Sequence, residues 1–271
     1  MGKFPGLNIG GLEIESCIIQ GGMGVGVSGE GLASAVANEG GVGIIASVGL
    51  GVLNRYPGSY SEANATALRD EIGKAREKTD GIIGVNIMHA LSDYEKMVGV
   101  VVEEKVPLLF TGAGFDDNLP EKIRGSDTRA VPIVSYGRFA RNVCDAWAKH
   151  DYVPAAIVVE GPKAGGHLGY GMRKLEDSEF VEGCLEKQVR EAVEIVGNFG
   201  NIPIIAAGGI YSGVDIYEAL KWGASGVQMG TRFVVTDECD ASLAFKMKYI
   251  NANREDIVLI NSPVGLPGRA I

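Results

Sequence analysis

Eight short apolar runs punctuate the chain, each ending in glycine or a polar residue: Cys17–Gln20, Val42–Ser47, Ile82–Met88, Val106–Thr111, Val131–Tyr136, Ala155–Glu160, Ile202–Ala207 and Gly226–Gly230. They are rich in β-formers and continuous rather than alternating, the pattern of strands buried on both faces of a parallel sheet. Helical periodicity fills the intervals. Ser28 is placed to cap a helix whose Leu32, Ala35 and Val36 share one face, stopped by Gly40-Gly41. In GRFARNVCDAWAKH, Phe139, Val143 and Trp147 fall at i, i+4 and i+8 and are expected to face inward. In SGVDIYEALKWG, Ser212 and Asp215 have capping-box spacing, with Val214, Tyr217 and Leu220 as the expected inner stripe and Gly223 as the stop. The segment 48–61 reads as a longer loop after the second strand, a lid or site wall.

Eight strands alternating with helices predict an α/β protein of the (β/α)8 TIM-barrel type, a single domain over residues 1–271, and the length suits one such barrel. The rival is a doubly wound dinucleotide fold, because Gly24-Val-Gly26-Val-Ser-Gly29 matches G-x-G-x-x-G between a strand and a helix. That fold wants an acid at the end of the next strand. The next strand ends IIAS, with none.

Composition narrows the function. A net charge of −9 without a basic run argues against nucleic acid as a partner, and points to a soluble protein handling small molecules. No apolar stretch is long enough for a membrane helix, and no secretory h-region opens the chain, so a cytoplasmic location is expected. The four cysteines, at 17, 144, 184 and 239, form no C-x-x-C pair and read as buried reduced thiols. The 40 glycines are about twice the usual ~7% share and cluster after the apolar runs, where backbone would approach a ligand.

In a (β/α)8 barrel the loops after the strands carry the chemistry. Here they offer Gln20 to Gly24, Asn86 and Met88, Thr111 to Gly114, Glu160 to His167, Gly208-Gly209, and the Gln228–Phe233 stretch. Paired glycines after the last two strands leave backbone N–H groups unhindered at the mouth, so Gly208, Gly209, Gly230 and Thr231 are candidate phosphate ligands. Marks of a P-loop, a zinc site or a G-x-S-x-G hydrolase are missing. Of the three histidines, His89 reads as structural and His150 as solvated. His167, set among Gly161, Gly165, Gly166 and Gly169, is the candidate acid/base. Glu160 is either a base or a hydrogen-bond anchor for its loop.

The stretches IIQGGM (18–23), GVNIM (84–88), TGAG (111–114), AGGHLG (164–169), IPIIAAGGI (202–210) and GVQMGTRFV (226–234), in this order, resemble the FMN-dependent nitronate monooxygenase (2-nitropropane dioxygenase) family. The related flavin-type enoyl-ACP reductases share these motifs. The resemblance spans nearly the whole chain and implies FMN at the barrel mouth. Its phosphate would lie on Gly209 and the turn Gln228, Met229, Gly230 and Thr231. Gly22, Met23, Gly24 and Asn86 would lie along the isoalloxazine ring, with the loop at Gly166 flat against it. His167 falls on the family's active-site histidine, and imidazole titrates near neutrality, as proton abstraction requires. Oxidation of alkyl nitronates by O2 to carbonyl compound and nitrite is the implied activity. The alternatives are an NAD(P)H-dependent flavin enoyl-ACP reductase, whose partner would be acyl-carrier protein, and a non-redox phosphate-binding isomerase or lyase. A homodimer stays open. Two departures stand out: Pro162-Lys163 replaces the small or acidic pair usual before AGGH, so Lys163 either attracts an anionic substrate or reaches solvent. Relatives usually continue past the GRAI element into a C-terminal helical segment, and the sequence stops at that element, so the expectation is a barrel that either lacks the segment or is incomplete there.

Overall fold

The computed structural model describes residues 4–262 and 265–271, so Met1–Lys3 and the Pro263-Val264 step of the C-terminal stretch lie outside it. A hairpin, β1 (Leu7–Ile9) and β2 (Leu12–Ile14), precedes the barrel. The barrel strands are β3 (Ile18–Gln20), β4 (Gly43–Ala46), β5 (Ile83–Met88), β6 (Leu108–Gly112), β7 (Arg129–Val134) and β8 (Ile157–Glu160), followed after the short β9 (Gly166–His167) by β10 (Ile204–Ala207) and β11 (Gly226–Met229). All eight pair in parallel with their neighbours in chain order, and a parallel bridge between Ile19 and Val42 closes the circle. The fold is the (β/α)8 barrel expected from the eight runs, and the doubly wound alternative falls away.

The continuous apolar runs conceal a period of two. Ile44, Leu108, Phe110, Val158 and Ile205 point into the barrel, where the hairpin residues Leu7, Ile9 and Ile14 plug its lower end. Ile45, Leu109, Val159, Ala206 and Val227 point outward against the helices. These include α1 (Glu30–Asn38), α2 (Leu50–Leu53), α3 (Tyr60–Lys78), α4 (Tyr94–Glu103), α5 (Leu119–Lys122), α6 (Arg138–Ala148), α7 (Met172–Leu175), α8 (Ser178–Val196), α9 (Gly213–Lys221), α10 (Thr231–Val234) and α11 (Leu243–Asn251). A strand buried on both sides needs apolar residues at every position, which is why the runs do not alternate in sequence.

Several helix assignments need correction. Ser28 does not cap α1; its hydroxyl is buried under the loop that follows β3. The open N–H groups of α1 are taken instead by distant carboxylates: Asp240 accepts from Gly29 at 2.8 Å, Gly31 at 2.9 Å and Leu32 at 3.1 Å, and Glu71 accepts from Glu30 at 2.8 Å. In α6, Val143 and Trp147 are buried as expected, but Phe139 is exposed and Ala140 and Cys144 take the inner face. In α9 the Ser212–Asp215 capping box forms, yet Val214 is 70% and Tyr217 57% exposed, and Ile216 and Ala219 pack inward. The expected loop at 48–61 contains α2. The C-terminal stretch folds back as β12 (Val258–Asn261) and β13 (Pro267–Ala270), an antiparallel pair that extends through β13 to β9. All four cysteines are free and buried. No helix among the described residues is long and apolar enough to cross a membrane.

One side chain adds to the backbone bonds that close the barrel. Gln20 is fully buried at the end of β3. Its Oε1 accepts from Ile44 N–H at 2.9 Å, and its Nε2 donates to Ser28 Oγ at 2.8 Å. Gln20→Leu keeps the volume but strands Ile44 N–H, while Ser28 Oγ keeps Met23 N–H and Gly21 O, so the cost is about 1–3 kcal/mol for the one buried group left unpaired. Urea unfolding should show a clearly lowered midpoint; an unchanged one would mean that the seam holds without the carboxamide.

Candidate active site at the barrel mouth

The parity that fills the barrel interior also furnishes its upper end. Asn86 follows Val85, Glu160 lies two residues beyond Val158, and Gln228 follows the outward Val227, so all three point inward where the strands end. They line a cavity of about 1100 Å³ together with Gly22, Met23, Gly24, Gly166, His167, Gly208, Gly209, Gly230 and Thr231. Eleven of the twelve site residues expected from the sequence thus meet in one place. Met229 is the exception: it has the outward parity of Val227, is 5% exposed and belongs to the packing between barrel and helices. Its contribution is a carbonyl that accepts from Gly21 N–H at 2.8 Å.

The cavity wall is short of internal partners. The side-chain amides of Asn86 and Gln228 make no hydrogen bond among the described residues, although Gln228 is only 9% exposed. The backbone N–H groups of Gly209, Gly230 and Thr231 likewise find no acceptor within the described chain. Buried polar groups are normally paired, so such a set fits a ligand that brings its own acceptors and donors. Two of the lining glycines are required by close packing against neighbouring side chains. Gly209 has φ +88°, and a Cβ there would lie 2.8 Å from Lys163 Cβ; at Gly22 a Cβ would lie 2.4 Å from Asn86 Cβ. At Gly165 and Gly166, by contrast, a Cβ would meet nothing within 4 Å, because these residues border the open cavity. A flat group can lie directly against their backbone.

The loop carrying His167 is tied at three points. Gly268 and Arg269 of β13 pair with His167 and Gly166, and Leu168 N–H donates to Pro267 O at 2.8 Å. Arg269 donates through Nη1 to Pro162 O and, at 3.5 Å, to Ala164 O. Tyr170, almost fully buried, donates from its hydroxyl to Ser135 O and is 3.0 Å from Glu160 O. Permissive backbone is therefore held firmly from outside while its inner edge stays bare. His167 itself is half-buried and its ring bonds to nothing in the described chain.

Other residues fall where their surroundings dictate. Among the described residues the Glu160 carboxyl has no polar partner, and burial pushes its pKa up from 4.5 to about 7. The anchoring of the loop that the sequence offered as one role for Glu160 is done by Tyr170 and Arg269 instead. His89 packs edge-on to Tyr94 with ring centroids 4.6 Å apart, outside the cavity lining, as a structural residue. His150 is not simply solvated: its Nδ1 is 3.0 Å from Glu121. Lys163 lines the cavity and also pairs with Glu182 at 2.5 Å. Arg269, Lys248 and Tyr249 are wall residues that the sequence reading missed. They belong to segments folded back after the last strand, and only the glycine-broken GRAI pattern hinted at an element there.

Barrels with a ligand cavity at the mouth form a broad class, and comparison with known proteins narrows it. A family model described as nitronate monooxygenase matches residues 7–93 and 49–271, and the chain belongs to that family. It is 32% identical over 264 residues to a 5-hydroxy-7a-methyl-1-oxo-octahydro-1H-indene-4-carboxyl-CoA dehydrogenase of Mycobacterium tuberculosis, covering 96% of this chain and 64% of that protein. A probable nitronate monooxygenase of Staphylococcus aureus is 27% identical over 296 residues, covering 96% of this chain and 76% of that one. Among solved structures, FabK from Thermotoga maritima superposes with a TM-score of 0.75 at 32% identity, over 94% of this chain and 71% of that one. A nitroalkane oxidase from Streptomyces ansochromogenes gives 0.73 at 25% identity, over 95% and 77%. The chain spans just under two thirds of the length of the CoA dehydrogenases it matches.

The raised Glu160 carboxyl predicts a pH dependence with a definite sign. Between pH 4.5 and about 7 the folded chain holds a proton that the unfolded chain has released, so stability falls as pH rises through this window. Glu160→Gln removes the effect. Its unfolding free energy should gain on the parent's by up to about 3 kcal/mol between pH 5 and pH 8. Denaturation curves of both proteins that stay parallel across that range would show that Glu160 keeps an ordinary pKa.

Proposed function

We propose that this chain is the catalytic barrel of an FMN-dependent oxidoreductase that oxidises alkyl nitronates with O2 to a carbonyl compound and nitrite. The observation that carries the flavin part is the set of unpaired groups in one cavity: two side-chain amides, an N–H cradle and bare glycine backbone. Gly209, Gly230 and Thr231 would hold the phosphate through their N–H groups, with the short turn into α10 adding its partial positive charge. Asn86 and Gln228 would meet the polar edge of the flavin, while Gly22, Met23, Gly24 and Gly166 lie along its faces. When bound, FMN accepts the substrate's electrons and passes them on to O2.

What the chain's own residues do follows from their placement. His167 takes the proton from the carbon bearing the nitro group when the neutral nitroalkane is offered, and neighbours the anion when the nitronate is offered. Membership of the nitronate monooxygenase family and the likeness to the staphylococcal and Streptomyces proteins support this substrate class.

A second reading is NAD(P)H-dependent reduction of an enoyl thioester. The likeness to FabK and to the CoA dehydrogenases favours it, since both are at least as similar in sequence as the nitronate monooxygenases. It needs the same cavity and the same histidine.

The purified protein should be yellow, or become so when FMN is added, and should release nitrite from propyl-1-nitronate in air. His167→Asn should keep its flavin and lose about 10²–10⁴-fold in turnover; loss of flavin as well would move His167 from the chemistry to the cofactor's cradle. Anaerobic NADPH decides between the two readings. Bleaching by NADPH without nitrite release selects the reductase, and bleaching by the nitronate alone selects the monooxygenase.

A further inference from the structure

The cavity contains a charge that no acid among the described residues answers. Arg269 is half-buried in its wall, and no carboxylate of the described chain lies within ion-pairing distance of the guanidinium. A guanidinium has five N–H donors in a planar fork. Nη1 of Arg269 is engaged by the carbonyls of Pro162 and Ala164, while Nε and Nη2 meet no acceptor among the described residues. Burial alone pushes its pKa down, with no neighbouring acid working the other way. What sets this arginine apart is its place, half-buried in the cavity wall with two backbone carbonyls as its only partners among the described residues.

The rest of the lining has the same sense. Lys248 faces the cavity without an ion pair, and Lys163 has its acid outside, on Glu182. Against these stand Asp256, which accepts the backbone N–H of Asn253, and Glu160, which burial holds partly protonated near neutrality. A concave, partly desolvated pocket focuses such a local excess of positive charge, whatever the sign of the whole surface.

We propose that Arg269 is the oxyanion-recognition residue of this cavity, offering the free edge of its guanidinium to a planar two-oxygen anion or to a phosphate. The inference rests on the reading of the cavity as a flavin and nitronate site, and it deepens that reading. A nitronate presents two oxygens in one plane, as a carboxylate does, and matches the fork bidentately. The flavin phosphate is the other source of the same chemistry, because the Pro162–Ala164 turn held by Arg269 packs against Gly208 and Gly209.

Calorimetric titration of the purified chain, of Arg269→Gln and of Arg269→Lys separates these sources. Butanoate against its neutral analogue butyramide reports on the substrate anion, and FMN against riboflavin reports on the phosphate. The parent should prefer the anion, and Arg269→Gln should lose about tenfold to hundredfold of that preference in one of the two pairs. Loss in the butanoate pair assigns the substrate, and loss in the FMN pair assigns the phosphate. Arg269→Lys keeps the charge but not the fork, so it should fall between. If both pairs keep their preference within twofold in Arg269→Gln, the arginine only fastens its loop and the proposal is overturned. If Arg269→Gln does not fold, parent-like preferences in Arg269→Lys overturn it equally. Anion preference that depends on Arg269 without nitrite release from nitronates would uphold the site and remove only the nitronate reading.

Discussion

The carboxamide of Gln20 is where the barrel and its site become one structure. β3 has three residues and meets the start of β4 through one bridge, where Val42 N–H donates to Ile18 O at 3.1 Å and Gln20 N–H to Val42 O at 2.9 Å. Gln20 supplies the missing acceptor for Ile44 N–H and, through Ser28 Oγ, reaches the backbone of Met23, whose N–H lies 2.9 Å from that oxygen. Each member of this buried set is paired, which is the condition under which such a network rigidifies a core rather than weakening it. The same few bonds therefore help to shut the barrel and shape the loop along which Gly22 and Met23 line the cavity.

Above that seam, the two-residue period of the strands sorts every side chain. Outward positions hold the helices, inward positions fill the barrel, and three inward positions toward the upper ends of the strands are polar: Asn86, Glu160 and Gln228. A site built on strand ends inherits the rigidity of the sheet, whereas one built on loops has to be braced. The His167 loop is the one that needs bracing, and it receives it from Tyr170, Arg269 and β13.

The strands were legible because burial on both faces imposes short apolar runs, each ended by glycine or a polar residue, and the site followed from reading what stands at their ends; the similar run Met97–Val102 belongs to α4. Eleven of the twelve expected site residues meet in the cavity for that reason. Met229 was misplaced because a list of strand-end residues ignores parity. Val214, Tyr217 and Phe139 were misread because a helical stripe is defined by period alone, and the neighbouring stripe of Ile216, Ala219 and Ala140 proved to face the sheet. Ser28 looked like a cap by spacing. The actual cap comes from Asp240, more than two hundred residues away, and no local pattern encodes that. Arg269 escaped for the same reason, since its partners lie a hundred residues earlier.

That separation has a consequence for how disturbances travel. Pairing of Arg269 with Gly166 closes a loop that contains α8, β10, β11 and the β12–β13 hairpin, and the closure entropy of so long a loop is offset only when all of these are in place. The stiffness of the histidine segment is thus not a local property. A substitution deep in β10, far from any ligand, loosens the histidine by way of the chain's last strand, and the first sign of it is faster amide exchange at His167 and Leu168 while the first half of the barrel stays protected.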